Sequence, residues 1–147
     1  MRAVVQRVKD AKVVIENEIY SQINHGFLIY LGITDTDTFD DVKKLAHKIK
    51  GLRVFEDKEG KMNLDLTTVS GSILVVSQFT LYADMKRGNR PSFTKAAGPS
   101  HAIPLYEAFI EQLKEDFMVK TGVFGALMQI DATNDGPVTL IYETEDL

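Results

Sequence analysis

The sequence predicts an α+β domain, and three observations predict it. Two apolar runs rich in strand-forming residues, Gly26 to Ile33 and Ile73 to Val76, have the length of buried strands and not of helices. Two other stretches, beginning near Thr38 and Ser100, repeat apolar residues at helical spacing. The chain has 147 residues, 44% of them hydrophobic, enough for one core and too few for two full domains, so residues 1–147 are read as a single domain.

Taken in order, residues 2–9 and 11–16 read as strands joined around Lys9-Asp10, with Glu16-Asn17-Glu18 as the next turn. Arg7 interrupts an otherwise apolar strand and, on its own, reads as a solvent-facing side chain. Gly26 to Ile33 is a core strand bracketed by glycines. Thr34 to Thr38 is a polar turn, and Thr38 caps a helix in which Phe39, Val42, Leu45, Ala46, Ile49 and Leu52 share a face, ended by Gly51. His47, among lysines, belongs to its surface. Leu52 to Phe55 and Lys61 to Leu64 form a hairpin around Glu56 to Gly60.

Gly71 introduces Ile73 to Val76, which reads as a strand buried on both faces, and the composition then turns polar at Ser77-Gln78-Phe79-Thr80-Leu81. Strand ends of this kind deliver side chains and freed backbone N–H groups to clefts. A long loop follows Asp84, rich in turn formers, before a second helix from Ser100 to Phe117, capped by Ser100 and with Pro104 in its first turn. Val123 to Ile130 and Val138 to Tyr142 finish the sheet, and Glu143 to Leu147 is expected to fray. Asn134-Asp135-Gly136-Pro137-Val138-Thr139 places a stiff Gly-Pro turn ahead of that last strand.

Composition narrows the function. Without cysteine there is neither a disulfide nor a thiolate metal site, and no apolar run approaches a membrane span, so a soluble cytoplasmic protein is expected. A net charge of −4 argues against coating nucleic acid non-specifically. From Met85 to Tyr106, however, four cations (Lys86, Arg87, Arg90 and Lys95) stand without a single acid, a patch able to hold a few phosphates. Ser77 and Thr80 supply hydroxyls, yet the three histidines, His25, His47 and His101, sit in no motif that would activate them. There is no HExxH and no spaced histidine–carboxylate cluster, so no metal or other cofactor is expected. What remains is a reaction whose attacking or activating group comes from the substrate, or a non-catalytic RNA-binding module using the cationic loop.

Ser77-Gln78-Phe79-Thr80-Leu81 and the Asn134 to Thr139 element together resemble the two signatures of the D-aminoacyl-tRNA deacylase family, SQFTL and NxGPVT. Further matches lie at Arg2, Val5 to Val8, Glu59 to Asn63, Arg90 to Phe93 and Leu105-Tyr106, so the likeness runs nearly end to end. It implies a hydrolase that proofreads tRNA by cutting the ester between a D-amino acid and the acceptor end. It also implies a mostly antiparallel, barrel-like sheet with two principal helices packed outside. The catalytic part would be Ser77, Gln78, Phe79 and Thr80: backbone N–H groups near Phe79 and Thr80, Gln78 orienting the substrate, Ser77 bracing the strand end, and the vicinal ribose hydroxyl of the tRNA assisting. Thr80 as a covalent nucleophile is the rival mechanism, disfavoured because an unactivated hydroxyl attacks poorly near neutral pH.

The resemblance further implies a homodimer in which Gly136 and a cis Pro137 enter the partner's site as a backbone wall against L side chains. Arg7, Asn134, Val138 and Thr139 belong to that substrate-binding element, with Arg7 fixing the turn. Glycine, having no side chain to exclude, would be accepted with D-amino acids. The tRNA-binding cations would be Lys86, Arg87, Arg90 and Lys95. A relative of the same fold that edits L-amino acids, with a trans Gly-Pro, is the alternative, and the dipeptide alone reads as an ordinary turn.

Overall fold

The computed structural model describes residues 1–147, with the elements β1 (Arg2–Ile15), β2 (Glu18–Ile23), β3 (Gly26–Gly32), α1 (Phe39–Lys50), β4 (Arg53–Glu56), β5 (Met62–Asp65), β6 (Ser72–Ser77), α2 (Pro99–Lys114), β7 (Val119–Thr121) and β8 (Gln129–Glu143). Short 3-10 helices cover Phe79–Tyr82 and Thr144–Asp146. The two α-helices and the preponderance of strand are those the sequence predicts.

β1 is the strand on which the sheet is built. It is one strand where the sequence predicts two; the exposed Lys9 and Asp10 mark slips in its register against β8, not a turn. Along one edge of β1, β2 and β3 lie end to end and antiparallel to it, with Ala11 opposite Ile23 and Val8 opposite Gly26. The hairpin between β1 and β2 turns on Glu16 and Asn17, both at positive φ (51° and 64°), the conformation that suits a tight two-residue turn. β2 carries no sequence signal of its own, because most of its side chains are exposed and show no apolar alternation.

β6 runs parallel to β3, and β7 parallel to β6; the remaining pairs are antiparallel. β2 then returns towards β7, where Ser21 Oγ donates to Thr121 O at 2.6 Å. No ladder joins these two strands, so the barrel is nearly closed. The pleat of β3 and β6 divides the core: Phe27, Ile29, Ile73 and Val75 pack towards the helices with Leu45 and Phe109, while Leu28, Leu74 and Val76 fill the barrel with Val8 and Val13. β6 is thus buried on both faces, as its uninterrupted apolar run predicts.

α1 begins as predicted, with the Thr38 amide donating to Asp41 Oδ2 at 2.8 Å. α2 begins differently. Gly98 and not Ser100 is the cap, Pro99 takes the first helical position, and Pro104 therefore falls in the second turn. Its side chain is exposed, so the carbonyl it leaves without a donor, that of Ser100, stands on the solvent side of the helix. The C-terminus is another correction. It does not fray: Thr144 is buried, its amide donates to Met1 O at 2.9 Å, and its hydroxyl accepts from Met1 N, which also pairs with Asp37.

Candidate active site

β6 hands the chain to the site. At its end the Gln78 amide still donates to Leu31 O on β3 (2.8 Å), and the backbone then coils into the 3-10 helix Phe79–Tyr82. Phe79 and Thr80 occupy the first turn, where no earlier helical carbonyl exists to accept their N–H groups. Both residues are exposed. Gln78 Nε2 donates to Thr80 Oγ1 at 2.5 Å, which leaves Gln78 Oε1 without a protein donor. The sequence signature is therefore a local backbone device, and Ser77, Gln78, Phe79 and Thr80 stand together.

Ser77, Gln78 and Phe79 line one side of a cavity of about 350 Å³. Its far wall is a segment for which the sequence predicts strand. β7 ends at Thr121, and residues 122–128 are a loop, because Gly125 takes φ +76° and Gly122 packs so closely on Met128 that a Cβ there would stand 2.6 Å from its sulfur. Phe124, Leu127 and Met128 of that loop line the cavity with Ala97 and Ala102. The two glycines were the available signal. Phe124 is held by Tyr106 of α2 (centroids 5.8 Å apart), whose hydroxyl donates to Val75 O and whose burial pushes its pKa up.

Eleven of the 14 lining residues are hydrophobic, and not one is ionisable. The histidines are committed elsewhere: His25 to Val69 O, His101 to Asp37 O at 3.0 Å, and His47 to the exposed face of α1. No three His, Asp or Glu side chains gather where they could hold a metal ion. The cavity can thus bind an apolar group and present backbone donors and an amide, but no side chain in it can take a proton from Ser77 or Thr80.

Gly136-Pro137 does not line this cavity. Gln6 pairs with Thr139 and Val8 with Asn134, so the single residue Arg7 on β1 faces four residues, 135–138, on β8. The surplus is extruded as a bulge inside one long strand, not a turn between two. Its Gly136-Pro137 bond is cis, Gly136 stands at φ +127°, and both residues are exposed. Arg7 fills the space beneath. It is 6% exposed, contrary to the surface reading, with Nε donating to Asp135 O (3.1 Å), Nη1 to Val54 O on β4 (2.5 Å), and the Asp135 carboxylate 3.5 Å away. Asn134 closes the bulge, accepting from the Val138 amide (3.3 Å) and donating to Thr139 Oγ1 (3.0 Å), while Gln6 also donates to Thr139. Within one protomer the two signatures are four residue steps apart along β1, about 13 Å, and separated by β3 and β1.

The cationic loop is tied to the site by its backbone and one ring. Asp84 and Ser92 exchange two backbone hydrogen bonds, Thr34 Oγ1 donates to Lys95 O at 2.6 Å, and Phe93 packs edge-on to Phe79 at 5.1 Å. Lys86, Arg87 and Arg90 are exposed. Lys95 is less free than its sequence context suggested, since it pairs with Asp84 at 3.3 Å. No helix is long and apolar enough to cross a membrane.

The family model for D-Tyr-tRNA(Tyr) deacylase matches residues 4–143. D-aminoacyl-tRNA deacylase of Thermus aquaticus is 56% identical over 99% of this chain and 97% of its own, and that of Chloroflexus aurantiacus 54% identical over 100% and 92%. Among solved structures, a c-Myc DNA unwinding element binding protein superposes with a TM-score of 0.91 at 41% identity, covering 97% of this chain and 98% of its own. A probable eukaryotic D-amino acid tRNA deacylase gives 0.81 at 17% identity over 96% and 97%, a likeness of fold.

Proposed function

The chain belongs to the D-Tyr-tRNA(Tyr) deacylase family and is a hydrolase of the ester bond of aminoacyl-tRNA; on that premise we propose how it cleaves D-aminoacyl-tRNA and spares the L form. The aminoacyl end enters the cavity at the end of β6. Backbone N–H groups of Phe79 and Thr80 stabilise the oxyanion that develops on the ester carbonyl, Gln78 Oε1 accepts from the substrate, and Ser77 braces the strand end. Water attacks with help from the neighbouring ribose hydroxyl, and free D-amino acid and tRNA leave. Reliance on the nucleic acid fits a cavity with no ionisable lining residue.

Selection is the work of the bulge. In a homodimer, Gly136 and Pro137 of one subunit close the cavity of the other, and their main chain occupies the space into which an L side chain would project. Arg7, Asn134, Val138 and Thr139 hold the wall from behind. The observation that carries this reading is the extruded bulge itself: an exposed piece of main chain, braced by a buried arginine, that does nothing for its own protomer's cavity. A second copy is favoured by β8, which pairs only with β1 and leaves most of its side chains, Ile141 (69%) among them, in solvent, and by Leu127 of the cavity-wall loop, 95% exposed. Lys86, Arg87 and Arg90, with a lesser part for Lys95, hold acceptor-strand phosphates. The cytoplasm, where tRNA is charged, is the compartment that fits.

Incubation with D-Tyr-tRNA, L-Tyr-tRNA and Gly-tRNA tests the reading in one assay. Hydrolysis of the first and third with the second spared is expected; equal turnover of the two mirror-image substrates would overturn the wall, and cleavage of none would leave only RNA binding.

A further inference from the structure

The 3-10 helix that carries the Phe79 and Thr80 amides is fixed from three sides. Its start is pinned by the Gln78 amide on Leu31 O. Its body rests on Gly32, where a Cβ would stand 3.1 Å from Gln78 O and from Leu81 Cβ. Its end is held by Arg2, the first residue of β1, 79 positions away in sequence: Nη1 donates to Leu81 O at 2.5 Å, and the guanidinium lies over the Tyr82 ring, 4.9 Å from its centroid. Glu143 anchors the guanidinium from the opposite neighbour, β8, at 2.8 Å.

One detail separates this arrangement from an ordinary surface ion pair. Arg2 Nε is buried and has no partner. An unsatisfied buried donor opposes folding, so the fork is directed at Leu81 and Glu143 at the expense of its third direction. Arg2 does not line the cavity at the end of β6; it borders a separate recess with Tyr82 and Lys86. Its loss would therefore remove no contact with the aminoacyl group, yet would free the carbonyl end of the turn whose other end presents the amides.

We propose that Arg2, anchored by Glu143, is a positioning residue for the reaction: by gripping Leu81 O and Tyr82 it sets the direction in which the Phe79 and Thr80 N–H groups point. This rests on the reading of those amides as oxyanion donors. Preorganised donors lose effect steeply when their aim is relaxed, so the consequence falls on the transition state and not on ground-state binding.

The full-length protein, with D-Tyr-tRNA as substrate, supplies the test. Arg2→Gln is expected to lower kcat by roughly tenfold to a hundredfold with KM changed less than about twofold. Arg2→Lys, which can still donate to Leu81 O and sit over Tyr82 but cannot also reach Glu143, recovers part of the loss, and Glu143→Gln shows a smaller fall. Backbone amide resonances of Phe79 and Thr80 move in all three variants. Lys50→Gln, which removes a cation paired with Glu115 and Asp116 far from the site, controls for the loss of an ion pair as such. An unchanged kcat, a raised KM with kcat intact, or a fall matched by Lys50→Gln overturns the proposal. If Arg2→Gln does not fold, Arg2→Lys and Glu143→Gln carry the test. A wild-type protein inactive on D-Tyr-tRNA refutes the functional reading instead, and unmoved Phe79 and Thr80 amides refute the clamp on their own.

Discussion

The strand end at Ser77 to Tyr82 and the bulge at Asp135 to Val138 are both made of main chain, but they are built in opposite senses. The first is a recess: a strand buried on both faces stops, and its last residues border an apolar cavity open to solvent. The second is a protrusion: four residues face one across the β1–β8 ladder, and the excess is pushed out over a buried guanidinium. Recess and protrusion lie on different strands of the same protomer and do not meet within it. On the proposed reading, a site that needs both would be assembled from two chains.

The sharpest way to break this contrast is Gly136→Ala. A methyl at that position would lie 2.9 Å from Arg7 Nη2 and 3.0 Å from Val138 Cγ2, on a backbone at φ +127° that alanine avoids. Deacylation of D-Tyr-tRNA is expected to fall more than about a hundredfold, with unfolding free energy lowered by about 1–3 kcal/mol. Single-turnover rates and denaturant melts read the two effects separately. Retained activity would show that the protrusion is not the wall.

The recess answers to a different substitution. Thr80→Ala removes an exposed hydroxyl bonded only to Gln78 Nε2, and no ionisable side chain lines the cavity to activate it. A loss of no more than about tenfold in kcat is expected. Abolished activity in a folded variant would make Thr80 the nucleophile and return the chemistry to a side chain.

Replacing Lys86 and Arg87 together by alanine should weaken tRNA binding and lower the slope of log affinity against log salt by about 1.4, the value for two single-strand phosphates. Lys95→Ala should do less, because Asp84 already neutralises that cation. Filter binding over a salt series distinguishes the two.

The smallest effect concerns the support of the protrusion. Asp57 closes the β4–β5 hairpin by accepting the Lys61 and Glu59 amides, and these bonds hold its carboxyl below the usual carboxylate range. Because its folded pKa is depressed, its contribution to stability is present above the unfolded value near 4 and is lost as pH falls through the lower folded value. Val54 of that hairpin accepts from Arg7, so acid should loosen the bulge slightly. Asp57→Asn should flatten the dependence of melting temperature on pH below about 4.

Much of this protein is legible along the chain. The unbroken apolar character and length of β3 and β6, the Thr38 cap, the Gly60 turn and both signatures are local, and the sequence identified each of them. Its errors have two causes. Lys9-Asp10 predicts a turn and is a bulge, 123–128 predicts strand and is the cavity wall, and the 143–147 tail, expected to fray, is docked on Met1. In the first and third cases a partner distant in sequence overrides the local preference, whereas in the second Gly122 and Gly125 set the loop locally.

Arg7 makes the division plain. By type and position it belongs on the surface, yet it is buried because Val54 O and Asp135 O, 47 and 128 residues away, receive its donors. The sequence by itself determined the two helices and the buried strands β3 and β6, and it held the two short motifs proposed to carry the chemistry, because those follow from bonds and periodicities a few residues long. Only the tertiary structure decided that the Gly-Pro element protrudes, that the cavity has no ionisable lining, and that Arg2 grips the turn beside the site. Register, burial and closure depend on contacts between residues that only the folded sheet brings together.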